Sequence, residues 1–300
     1  MARIFILGEK GQVAHALAQT YLARGDTFVC AGRATVDIAD RVALAEKAAD
    51  FRPDLAINAA AYTQVDRAED DAESVFAVNR DGARNAAAAA RRAGVPLIHI
   101  SSDYVFDGGK TGAYVETDPT NPRSIYGESK LAGERAVADE HEDHLILRTS
   151  WVYSAGGTNF LRTMLRLAAD RDEVRVVDDQ NGCPTLADDL ATAIAAIGDI
   201  CIAGRGAARQ GLYHLAGSGH TTWCGFARAI MKGSAERGGP SCRVRPITTA
   251  EYPTRAVRPA NSRLDCSKAA KVFGVRLPQW EAALDKCLDQ IVPAAQGSPT

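Results

Sequence analysis

Arg3-Ile4-Phe5-Ile6-Leu7-Gly8-Glu9-Lys10-Gly11-Gln12-Val13-Ala14 opens the chain with a strand-like run, a glycine-marked turn and the start of a helix-like stretch. The apolar residues Ile4 to Leu7 are continuous rather than alternating, as in a strand covered on both faces. Two glycines in that setting permit a tight turn and let backbone N–H groups at the helix start approach a pyrophosphate. The spacing is GxxGxxA instead of GxGxxG. The turn alone therefore leaves open a nucleotide site or a plain strand–helix connection.

The same pattern repeats outward. Residues 27–31, 55–58, 96–100 and 145–148 read as further buried strands, with helices expected over 12–24, 41–50, 72–93 and 124–141. This rhythm predicts an α/β fold with a Rossmann-type, doubly wound parallel sheet. Ala86 to Ala90 fits a thin helix packed closely on that sheet, stopped by Gly94 and Pro96. Beyond about residue 150 the rhythm loosens, with helices at 160–169, 187–197, 223–231 and 280–291 and short strands at 174–177 and 212–214. Residues 1–150 are thus expected to form the dinucleotide-binding domain, with room for later segments to return to it. Residues 151–300 should be mainly a smaller, irregular α/β substrate lobe.

Bulk properties narrow the class. With 35 basic against 37 acidic residues the net charge is −2, so no basic field exists for nucleic acid. Seven scattered cysteines without a CxxC pair suggest a reducing compartment rather than a disulfide framework. No apolar run reaches the roughly 18 residues of a membrane span, and a cytoplasmic location is expected.

The chemistry concentrates at Tyr126-Gly127-Glu128-Ser129-Lys130. Residues four apart share one helix face, so phenol and ammonium converge, and a nearby cation should lower the tyrosine pKa. Ser101-Ser102-Asp103-Tyr104 stands at the end of the expected fourth strand. Carboxyl ends of strands are where such sheets hold ligands, which places the Ser102 hydroxyl beside the same reacting oxygen. After the second strand comes Ala31-Gly32-Arg33, with no carboxylate to grip a ribose 2′-OH. An arginine there suits a 2′-phosphate, hence NADPH. His141-Glu142-Asp143-His144 has metal-like spacing but reads as a solvated loop, and GSGH at 217–220 lacks the spacing of a nucleophile elbow.

Together these segments resemble the extended short-chain dehydrogenase/reductase family, and within it the reductases of nucleotide-linked 4-keto-6-deoxy-L-sugars. The likeness runs nearly to the C-terminus, through Asn58 to Thr63 with Val65-Asp66, Ser102 to Gly108, Tyr126 to Glu134, Arg148 to Tyr153, Asp179 to Thr185, Gly211 to His214, Arg258 to Leu264 and Leu277 to Glu281. It implies NADPH, with NADH also accepted, along Gly8, Gly11, Gln12 and Val13. Asp37 and Ile38 would lie near the adenine and Ala61, Tyr62 and Thr63 along the cofactor. Tyr126 would donate the proton, Lys130 would hold the nicotinamide ribose, and Ser102 would steady the oxygen. Val65, Ser102, Asp103, Tyr104 and Trp151 would contact the sugar.

The chain departs from the resemblance where relatives dimerise through magnesium held by three glutamates. The corresponding positions carry Ala16, Asp188 and Gln290. No metal site is therefore expected, and the protein should be a monomer or a homodimer not bridged by metal. Two rivals keep the fold. A sugar-nucleotide dehydratase or epimerase would be expected to follow Asp103 with a glutamate, whereas Tyr104 stands there. A non-catalytic reductase-like subunit has no need of an intact Ser102, Tyr126 and Lys130.

Overall fold

The computed structural model describes residues 1–205 and 210–292. In chain order the first part runs β1 (Arg3–Leu7), α1 (Gln12–Ala23), β2 (Thr27–Ala31), α2 (Arg41–Phe51) and β3 (Leu55–Asn58). Short helices α3 (Val65–Ala68) and α4 (Ala72–Phe76) lead through a π-helical stretch, Ala77–Gly82, into α5 (Ala83–Ala93). Then come β4 (Leu97–Ser102), α6 (Ile125–Glu140) and β5 (His144–Thr149). The single helix expected over 72–93 is thus three joined pieces, because a π turn leaves the apolar spacing almost unchanged.

The second part holds β6 (Val152–Tyr153), α7 (Phe160–Asp170), β7 (Glu173–Val177), β8 (Asn181–Gly182), β9 (Thr185–Leu186), α8 (Ala187–Ile200) and β10 (Gly211–His214). It ends with β11 (Thr221–Thr222), α9 (Trp223–Glu236), β12 (Arg243–Ile247), α10 (Ser267–Phe273) and α11 (Trp280–Ile291). Strand β12 lies outside the expected strands; it carries Pro246 and pairs in parallel with β7 alone, an edge position where proline is tolerated.

The main sheet is parallel, in the order β10-β5-β4-β3-β1-β2. Strand β10 comes from beyond residue 150 yet closes this sheet, and α8 lies beside α1 on it. Order reverses between β1 and β3, and in such sheets the crevice at that reversal receives the ligand. Strand β1 is buried from Ile4 to Leu7, with Ile6, Leu17, Ile57, Leu147 and Ile194 in the core on one face. On the other face Ala86 and Ala89 of α5 pack against Phe5 and Leu44; small side chains let that helix approach closely. A separate core joins α7, α9 and α11 through Leu161, Phe226, Ile230 and Leu284.

Candidate active site

Four strands of the main sheet end side by side, and the cleft residues follow directly from their ends. Gln12 and Val13 come after β1, Ala61, Thr63 and Val65 after β3, Ser102 to Tyr104 at β4, and Ser150 and Trp151 after β5. With Tyr126 and Lys130 from α6 they line a cleft of about 410 Å³, within the usual range for a small-molecule site.

The turn after β1 suits a dinucleotide. Gly8 has φ 113°, and a Cβ there would sit 3.2 Å from the Ala59 and Ala60 backbone. Helix α1 begins at Gly11 with no side-chain cap and no acidic residue in its first turn. Its leading N–H groups are left for an anion, where the helix dipole also favours negative charge. Arg33 is exposed and makes no hydrogen bond or ion pair among the described residues. Asp37 accepts a hydrogen bond from the Ala39 N–H. Ile38 turns its side chain into the core against Gly82, and its carbonyl accepts from the Asn85 amide at 3.0 Å.

Helix α6 is capped by Ser124, whose hydroxyl accepts from the Gly127 N–H. It presents Tyr126 and Lys130 on one face, as their spacing predicts. Tyr126 lines the cleft with Ser102 and meets Tyr104 edge-on at 5.4 Å between ring centroids. The Ser102 hydroxyl donates to Asp103 at 2.9 Å. The expected tuning of the phenol by Lys130 is corrected here. Lys130 Nζ donates to the Ile100 carbonyl at 2.8 Å, while burial pushes Tyr126 up to about 12, with the nearby Ser102 hydroxyl pulling the other way. Burial likewise holds Lys130 down to about 8 and raises Asp103 to about 6.

Sequence reasoning missed the residues that hold this group in place. Asn79, on the π-helical stretch, accepts from the Tyr62 N–H at 2.8 Å and donates to the Tyr62 carbonyl and to Ser129 on α6. One amide thus fixes the segment after β3 against the helix of Tyr126. Glu134, one turn beyond Lys130, is buried in an ion pair with Arg148 and accepts from Ser101. Gln12 accepts from Ser154 and Asn159, tying the dinucleotide turn to the start of α7. Trp223 stacks on Trp151. A lone Asn or Trp carries no local spacing signal, so only the tertiary fold reveals these.

His141 corrects another expectation: it is buried, with Nε2 against the Val95 carbonyl at 2.9 Å, rather than solvated. It follows the end of α6 and ties that end to the segment leading into β4. Ala16, Asp188 and Gln290 do lie together, lining a groove of about 820 Å³ between α1 and α8. Asp188 is the single carboxylate of the three. Nearby Asp189 and Asp289 are bound to Lys286 and Arg237. No helix among the described residues is long and apolar enough to cross a membrane.

The parallel sheet, the Gly8 turn and the Ser102, Tyr126 and Lys130 set define an extended short-chain dehydrogenase/reductase. Within that class, residues 2–292 match the RmlD substrate binding domain. A dTDP-4-dehydrorhamnose reductase of Sinorhizobium fredii is 48% identical over 93% of this chain and 94% of its own. The Escherichia coli reductase of the same name is 39% identical over 96% and 97%. The Bacillus anthracis dTDP-4-dehydrorhamnose reductase, solved in complex with NADP, superposes with a TM-score of 0.89 at 33% identity over 96% of this chain and 98% of that one. The chain belongs to the dTDP-4-dehydrorhamnose reductase family.

Proposed function

We propose that this protein reduces the 4-keto group of dTDP-4-dehydro-L-rhamnose to give dTDP-L-rhamnose, with NADPH as cofactor and NADH also accepted. The observation that carries the reading is the convergence of Ser102, Tyr126 and Lys130 in one cleft with Gln12 and Val13 of the dinucleotide turn. Bound NAD(P)H supplies the hydride to sugar C4. The chain then has to bind both partners and deliver one proton to the C4 oxygen.

Tyr126 suits that task in the reducing direction, since a phenol pushed up to about 12 keeps its proton at neutral pH. Ser102 Oγ, which donates to Asp103 and lines the cleft with Tyr126, steadies the developing oxyanion in this reading. Lys130 holds the nicotinamide ribose. Gly8, Gly11, Gln12 and Val13 hold the pyrophosphate side, Ala61, Tyr62 and Thr63 the middle of the cofactor. Arg33 meets the 2′-phosphate, with Asp37 and Ile38 near the adenine. Val65, Asp103, Tyr104 and Trp151 surround the sugar. Asp103 is the one carboxylate lining the cleft among the described residues, which favours reduction over a dehydratase's acid–base elimination.

Neither Ala16 nor Gln290 offers a charged oxygen, and a hard divalent cation needs several. Assembly is therefore as a monomer or a homodimer not bridged by metal. The deciding assay follows NADPH oxidation with the 4-keto-sugar nucleotide and identifies the product. Absence of turnover with that substrate rejects the reading.

A further inference from the structure

Trp151 is held in an uncommon way. Its φ is 48°, and Arg52 is the only other non-glycine residue with positive φ among those described. A bulky side chain adopts that left-handed backbone only where its surroundings compel it. Two neighbours do so. Gly182 lies against the indole so closely that any Cβ there would collide with the ring. On α9, Trp223 stacks on Trp151 with centroids 3.5 Å apart and planes within 6° of parallel. Trp223 is braced in turn by Phe160 at 4.6 Å. The Trp151 indole N–H has no acceptor among the described residues, and Trp151 lines the same cleft as Tyr126. Trp223 also lines the neighbouring cleft of about 830 Å³ that contains Arg171, Arg175 and Arg258, so it forms the wall between the two.

We infer that Trp223 is a positioning residue for the substrate: by stacking on Trp151 it fixes the strained indole as the wall of the sugar site. The inference rests on the proposed reductase reading, in which the sugar lies against Trp151. It predicts a defect centred on the sugar nucleotide, because the stack bears on Trp151, whereas the dinucleotide turn is held through Gln12 by Ser154 and Asn159.

The test uses Trp223→Leu, with Trp223→Phe as the conservative rescue, in the full-length protein. Trp151, Trp223 and Trp280 give three indole N–H resonances, and a stacked ring displaces that of Trp151. In Trp223→Leu the Trp151 resonance moves, KM for the sugar nucleotide rises roughly tenfold, the factor expected of an aromatic pair, and KM for NADPH stays within about twofold. Trp223→Phe restores most of the sugar KM. A moved Trp151 resonance with an unchanged sugar KM overturns the inference, as does a parallel rise in both KM values. Should Trp223→Leu not fold, Trp223→Met carries the same test with the same outcomes. A wild-type protein inert toward the sugar nucleotide removes the reductase reading and this inference with it, whereas an active wild type with indifferent variants removes the inference alone.

Discussion

Replacing Lys130 by methionine should stabilise the folded protein near neutral pH while destroying its activity. Lys130 is 2% exposed and its ammonium donates to one acceptor among the described residues, the Ile100 carbonyl. Burial lowers its pKa from 10.5 to about 8, with Glu134 acting weakly in the opposite sense. Below pH 8 both folded and unfolded chains carry the proton, so the folded state bears the full cost of a buried cation. A depression of that size corresponds to about 3 kcal/mol. Between pH 8 and 10.5 the folded chain sheds the proton while the unfolded chain retains it, so wild-type stability rises with pH across that window. Above it both are neutral and the cost is gone. Methionine keeps the aliphatic packing and loses the hydrogen bond, which offsets about 1 kcal/mol. Lys130→Met should therefore exceed wild type by about 2 kcal/mol at pH 7, with that advantage lost by pH 11. Urea unfolding of both proteins at the two pH values, without added nucleotide, reads this directly. A variant less stable than wild type at pH 7, or a gap that ignores pH, would refute the burial argument. Turnover should fall in the same variant, the exchange of stability for function expected at a strained site.

Tyr126→Phe should cut kcat by roughly a hundred- to ten-thousandfold, as expected of a general acid, with NADPH affinity near wild type by direct titration; near-normal kcat ends the assignment. Arg33→Ala should lower kcat/KM for NADPH relative to NADH, and an unchanged ratio shows that Arg33 does not read the 2′-phosphate. Arg148→Leu strands Glu134 as a buried, unpaired carboxylate and should cost about 3–5 kcal/mol in denaturant unfolding. Adding Glu134→Leu should recover much of that loss, and a single variant as stable as wild type contradicts the buried pair. Light scattering with Mg²⁺ and then EDTA should find one unchanged assembly state; a dimer that dissociates only under EDTA reverses the argument from Ala16 and Gln290.

Much of the main sheet was legible because it rests on local rules. Strands β1, β2 and β3 lie where continuous apolar runs fall between turn residues, and Gly94 ends α5 in the left-handed conformation its position suggests. That Tyr126 and Lys130 of α6 line one cleft accords with helical spacing, and the place of Ser102 in that cleft with the rule about strand ends. What stayed hidden depends on burial or distant packing. The phenol's pKa follows desolvation rather than the neighbouring lysine. The roles of Asn79 and Trp223 arise from partners 17 residues away in one case and on a different element in the other. Strands such as β6 and β9, two residues each, are too short to leave any periodic trace.

The π-helical stretch Ala77–Gly82 has a consequence for which changes in length the chain can tolerate. Such a turn holds a residue more than α-helical hydrogen bonding would need. Removing one residue there could relax α4 and α5 into a continuous regular helix, so folding would have little reason to resist. Each residue in an α-helix, however, is set about 100° around the axis from the last. The same deletion would swing the Asn79 amide away from Tyr62 and Ser129. A loop deletion usually harms neither fold nor site, and a core deletion harms both. Here a single-codon deletion should leave a well-folded protein whose active-site walls are no longer tied together.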